Sequence, residues 1–128
     1  MLAVPLALTG CAGGASPSEA DVTPAPSESA GPVAVTLQMT AVDTTFLTKG
    51  LEVPADQPFA IDFMNDDQLG LMHDIDIRAA DGTVLADMPT IDGGTKTTYT
   101  YGPLAAGTYT FICSFHPIRT MIGTLTVN

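Results

Sequence analysis

From Val33 onward the chain runs in short period-two segments, and no other feature of it limits the fold as tightly. Val33, Val35, Leu37, Met39 and Ala41 alternate with Ala34, Thr36, Gln38 and Thr40, the pattern of a strand with one buried face. Further strands are expected at Leu51 to Val53, Phe59 to Met64, His73 to Arg78, Thr83 to Ala86, Thr95 to Tyr101, Thr108 to Cys113 and Met121 to Val127. Between them lie Pro54-Ala55-Asp56, Asn65-Asp66-Asp67, Asp81-Gly82, Asp92-Gly93-Gly94 and Ala106-Gly107, residues that accept tight or left-handed backbone. No window carries a convincing amphipathic helix of three turns. Seven or eight short strands spaced in this way predict an all-β fold, a Greek-key β-sandwich.

Composition allows such a core and restricts what it serves. Hydrophobic residues make up 45% of the 128 and charged residues 14%, so the chain is no solvated disordered polymer. Its length fits one domain. Fourteen Asp plus Glu against four Lys plus Arg give a net charge of -10, which argues against holding nucleic acid or anionic headgroups and favours a cationic partner if a charged one exists. No apolar run reaches eighteen residues, so no transmembrane helix is available. The two cysteines, Cys11 and Cys113, are too few for a disulfide framework, and each needs its own explanation.

The first explanation lies in the N-terminal address. Residues 1–8 are nearly all apolar, and Leu8-Thr9-Gly10 places small residues directly before Cys11. This resembles a bacterial lipoprotein signal, although no Lys or Arg precedes the apolar stretch, and the true start is expected upstream of Met1. The resemblance implies that Cys11 takes a diacylglyceryl group and becomes the mature N-terminus, where two acyl chains anchor stably and one does not. Residues 12–32 then turn to Ser, Pro, Ala and Gly with three acids, Glu19, Asp21 and Glu28. This is a tether that reaches about 65 Å if wholly polyproline-like and about 25 Å as a flexible coil. The expected organisation is therefore 1–11 signal segment and lipidated Cys, 12–32 tether and 33–128 folded domain.

The second explanation is chemical. Strand parity puts Tyr109, Phe111 and Cys113 on one face and His73 with Ile75 and Ile77 on another, opposite Asp74, Asp76 and Arg78. Both reactive side chains are thus expected to face the core at one end of the sandwich. Cys113 opens a Cys-x2-His-x4-Met segment with His116 and Met121. A thiolate, an imidazole and a thioether on one short loop, joined by a second imidazole from another strand, form a soft donor set suited to copper. Zinc would more often take Cys, His or carboxylate in the fourth place than a thioether.

With these residues in view the domain resembles the small blue copper proteins of the cupredoxin family. The spacing of Cys113, His116 and Met121 is plastocyanin-like, the wording Cys-Ser-Phe-His-Pro is similar to amicyanin-like members, and Phe63-Met64-Asn65-Asp66-Asp67 before His73 resembles the family's approach to its first histidine. The resemblance implies one mononuclear type 1 copper, with His73, Cys113 and His116 as equatorial ligands and Met121 as a weak axial one. Many members have Asn after the first histidine, where this chain has Asp74. An ionised Asp accepts hydrogen bonds but donates none, so the rigidity of the site and its potential rest on what Asp74 and Ser114 do around it.

The expected function is single-electron shuttling by an extracytoplasmic, membrane-anchored, monomeric protein. A copper-buffering or copper-delivering lipoprotein is the alternative. The chain has two histidines in total, too few for the His-x-His pairs of a multicopper oxidase, and Pro117 stands where a binuclear centre would need a second bridging Cys. Leu69, Leu71, Met72, Phe115, Pro117 and Ile118 are expected to form an apolar patch for a redox partner, or simply to cap the sandwich. The domain's eleven carboxylates, among them Asp66, Asp67, Asp74 and Asp76 near the ligand loops, fit either solubility or steering toward a basic partner.

Overall fold

A computed structural model describes residues 32–128. The signal segment, Cys11 and all but the last residue of the tether lie outside them. The strands are β1 Val35–Val42, β2 Thr45–Phe46, β3 Gly50–Val53, β4 Phe59–Asn65, β5 Asp76–Arg78, β6 Val84–Ala86, β7 Thr95–Tyr101, β8 Gly107–Ile112 and β9 Ile122–Val127, with one 3-10 turn at Arg119–Met121. They form two mixed sheets, ordered β2-β1-β4-β7 and β3-β9-β8-β5-β6. This is the expected all-β sandwich.

The alternation in β1 becomes a buried row of Met39 and Ala41, while Thr36 and Gln38 stay exposed. β4 runs parallel to β1 and antiparallel to β7, and this central place explains why five of its seven residues are buried. Between the sheets, Phe46 meets Phe63 edge-on and Phe111 at a tilt, with ring centroids 6.2 and 5.7 Å apart. Phe63 belongs to one sheet and Phe111 to the other, so Phe46 bridges the two layers; such a pair adds about 0.5–1.5 kcal/mol beyond burial of its area. A second tie crosses the layers where the Tyr101 hydroxyl donates to the Ile75 carbonyl at 2.7 Å. Gly123 lies opposite Phe111 in the β8–β9 register. A Cβ there would stand 2.0 Å from that ring, so the aromatic bridge requires glycine on its neighbour.

Four local features depart from the sequence reading. β2 is too short for periodicity to detect, and it follows Asp43 and Thr44, which both have positive φ. Met121 closes the 3-10 turn rather than opening the last strand. The segment at His73 makes a single bridge to Ile91 before β5 begins at Asp76. Strand parity puts Asp74 and Asp76 on a face away from the core, yet both are buried. The reason is a second cover: the Asp76 carboxylate accepts the Met88 N–H at 2.9 Å, and Asp74 is capped by Ser114.

Candidate metal centre

Two loops at one end of the sandwich carry the reactive side chains. The first lies between β8 and β9. Cys113 is the residue just past β8, and its N–H donates to the Met121 carbonyl at 3.0 Å, closing the neck of the loop. Inside that neck the Ile118 N–H donates to the His116 carbonyl at 2.7 Å and the Met121 N–H to the Ile118 carbonyl at 2.8 Å. The loop is braced from outside by the Lys49 ammonium, which donates to the Arg119 and Thr120 carbonyls, and by the Thr120 hydroxyl, which donates to the Thr44 carbonyl at 2.7 Å. Neither Lys49 nor Thr44 stood out in the sequence, because both act across long separations.

The second loop joins β4 to β5. Asn65, fully buried, donates to the carbonyls of Leu71 and Ile91 at 2.8 and 2.9 Å and accepts the Asp67 N–H at 3.1 Å. Gly93 presses so closely on this loop that a Cβ would stand 2.6 Å from the Asp67 carbonyl oxygen. His73 then exchanges backbone hydrogen bonds with Ile91 in both directions. Its ring is fully buried, with Nε2 at 3.1 Å from Asp67 Oδ2. Burial pushes the Asp67 carboxyl up, but hydrogen bonds from His73 and from the Leu69, Thr44 and Leu71 amides outweigh it and hold the group below the usual carboxylate range. An ionised carboxylate only accepts, so Nε2 of His73 donates to it and Nδ1 is the nitrogen left to face the other donors.

That nitrogen lies beside the sulfur of Cys113 and the ring of His116. His73 Nδ1 lies 3.7 Å from Cys113 Sγ and 3.1 Å from His116 Nδ1, and the remaining edge, Cys113 Sγ to His116 Nδ1, is 3.9 Å. The two nitrogen–sulfur edges are close to the roughly 3.7 Å expected for donors at about 2.0–2.3 Å from one shared ion, and the nitrogen–nitrogen edge is the shortest of the three. Cys113 and Met121 are fully buried and His116 is half-buried. Burial pushes the Cys113 thiol up against the pull of nearby backbone amides, so the unmetallated sulfur is a protonated, sheltered thiol that a bound metal would deprotonate. One sulfur and two imidazoles with a buried methionine at the loop's neck make a centre able to bind one copper ion.

Asp74 settles what the missing Asn does. Its carboxylate accepts the Ser114 N–H at 2.6 Å and also the Ser114 hydroxyl. Acceptance is all this geometry asks, and Asp74 therefore ties the histidine loop to the cysteine loop. The expected role of the acids near the site needs correcting, because Asp67, Asp74 and Asp76 are buried and only Asp66 of the four is partly exposed. The apolar residues expected at this end are at the surface: Leu69 is 80% and Phe115 58% exposed, with Ile118, Met72 and Pro117 also exposed and Leu71 half-buried. Phe115 packs its ring edge against His116 at a centroid distance of 5.3 Å.

Comparison with known proteins gives the family and the fold. The family model described as a cupredoxin-like domain matches residues 7–127. Auracyanin B superposes with a TM-score of 0.69 at 25% identity, over 77% of this chain and 91% of its own. Auracyanin A, described as a blue copper protein from Chloroflexus aurantiacus, superposes with a TM-score of 0.62 at 23% identity, over 77% of this chain and all of its own. A copper-containing nitrite reductase from Thermus scotoductus gives 0.53 at 26% identity over 73% of this chain, yet the match spans only 22% of that enzyme. No curated protein matches the sequence.

Proposed function

The chain belongs to the cupredoxin-like domain family, and from that membership we propose that it is an extracytoplasmic type 1 copper protein, held at a membrane by lipidated Cys11, that passes single electrons between redox partners. In this reading His73, Cys113 and His116 are the equatorial ligands and Met121 the weak axial one. The observation that carries it is the convergence of Cys113 Sγ with two imidazole Nδ1 atoms, all within 4.8 Å of one another, with His73 and Cys113 buried. Copper in such a set supplies a one-electron couple.

The chain's own residues set the conditions for that exchange. Loops braced by Asp74, Asn65 and Lys49 hold the donors in place, which keeps rearrangement between oxidation states small. Burial of Cys113 and Met121 excludes water from the sulfurs. His116 is the ligand whose ring reaches toward solvent, among Leu69, Met72, Phe115, Pro117 and Ile118, and this apolar surface is the proposed docking site for a redox partner. Among the described residues, eight carboxylates outside the buried three, Asp43, Glu52, Asp56, Asp62, Asp66, Asp81, Asp87 and Asp92, are available to steer a basic protein.

The test is to add Cu(II) to the purified protein and look for the intense visible thiolate-to-copper band, with Cys113→Ala as the blank. No band in the parent protein would defeat the assignment. A reversible one-electron potential, with exchange that slows as salt rises, supports shuttling to a basic partner. A band without reversible exchange, and with rapid copper loss to a chelator, would instead favour copper buffering or delivery. Anchoring is checked separately by intact mass of the membrane fraction and by release of the Cys11→Ala protein.

A further inference from the structure

We propose that Asp67 is a positioning residue for the copper centre, fixing the orientation of His73 and placing a buried negative charge behind it that favours the oxidised over the reduced metal. The inference rests on the reading of His73 as a copper ligand. It starts from a carboxylate whose partners are all N–H groups: His73 Nε2 at 3.1 Å, the Leu69 amide at 2.9 Å and the Thr44 amide at 3.2 Å. Both Asp67 and His73 side chains are fully shielded from solvent. No lysine or arginine is among those partners, so hydrogen bonds disperse the charge without cancelling it.

Two consequences follow for the metal. An anionic acceptor on the far nitrogen makes Nδ1 a stronger donor and stops the ring from turning. The same charge attracts the more highly charged copper ion more strongly, and the shielded site weakens that attraction less than water would. Asp67 also holds the Thr44 amide in the turn after β1, where Asp43 and Thr44 have φ of 46° and 55°. A purely structural role would end with that turn. The His73 contact distinguishes the two.

Asp67→Asn separates charge from shape, since an oxygen in the Oδ2 place can still accept from His73 and Thr44 while the amide nitrogen in the Oδ1 place loses the Leu69 contact. The expected result is a visible band that persists and a ratio of Cu(II) to Cu(I) affinity at least tenfold lower, read by chelator competition in each oxidation state; tenfold is about 59 mV upward for a one-electron couple. Equal losses in both oxidation states, or an unchanged potential, would overturn the proposal and leave Asp67 a turn residue. If the parent protein shows no band, the copper reading fails rather than this one. If Asp67→Asn does not fold, proton spectra of the parent protein with Cu(I) decide: a downfield, slowly exchanging His73 Nε2–H supports the contact, and its absence refutes it.

Discussion

His73 and His116 aim the same ring nitrogen at the same sulfur, and they differ in what lies behind them. His73 is fully buried, pinned through its backbone to Ile91 and through Nε2 to Asp67. His116 sits on the five-residue bend between Cys113 and the 3-10 turn, half-buried, with Phe115 against its ring. One loop shields its imidazole, and the other leaves its imidazole near the surface. The difference shows how a small sandwich combines a shielded donor with one near the surface: the shielded side borrows its order from β4 and from the 89–94 segment, and the exposed side is stabilised mainly at its neck.

Replacing the histidines should break that contrast most visibly. His73→Gly leaves the Asp67 carboxylate buried beside a cavity, and calorimetry of the copper-free protein should show a large fall in melting temperature. His116→Gly should lower the melting temperature of the copper-free protein by less than His73→Gly does, because its ring is only half-buried. Added imidazole should restore the visible band in His116→Gly and not in His73→Gly, because only the first vacancy opens to solvent. Restoration in both would show that the two sides are equally accessible.

A core change sets the scale for these effects. Phe111→Ala removes the ring that Phe46 and Gly123 are arranged around, and chemical denaturation should show a loss of about 3–5 kcal/mol. Ser114→Ala is the milder probe of the tie between the loops. It deletes the hydroxyl donor to Asp74 while keeping the backbone one, with an expected cost of about 0.5–1.5 kcal/mol and faster copper loss to a chelator. An unchanged release rate would show that the backbone bond alone secures the loop.

The smallest effects should appear in the pH dependence of the copper-free fold, and they have opposite signs at the two acids. Asp67 is held below the usual carboxylate range in the fold, so its stabilising contribution is present above its unfolded pKa of about 3.9 and is lost as pH falls through the lower folded value. Asp76 is raised, first by burial and then by the charges of Asp74 and Asp87. Its contribution is full below the unfolded pKa and lost as pH rises through the folded one. Thermal melts should therefore show the disadvantage of Asp67→Asn shrinking in acid, while Asp76→Asn gains on the parent as pH rises. A pH-independent difference in either variant would remove that acid from the account.

Legibility varied along the chain for physical reasons. The long strands β1, β4 and β7 stood out because period-two alternation is a local property of half-buried backbone. Cys113, His116 and Met121 were visible as one short segment, and His73 was recognisable as an inward imidazole elsewhere. Asp67 was read as a surface charge, although the Asn-x-Asp step before His73 was in view, because nothing in the sequence says that Thr44, Leu69 and His73 surround it. Asp74 and Asp76 were misplaced by the same gap: parity assigns a side chain to a face but does not say whether another loop covers that face.

Sequence alone determined the sandwich, the copper-suited donor types and the order in which the loops present them, since these follow from alternation, turn residues and the chemistry of sulfur and imidazole. Tertiary structure decided which acids are buried, which histidine is shielded and which nitrogen of His73 carries the proton. Those depend on segments many positions apart meeting at one end of the two sheets, where a carboxylate's behaviour is set by the N–H groups that reach it and not by its neighbours in the chain.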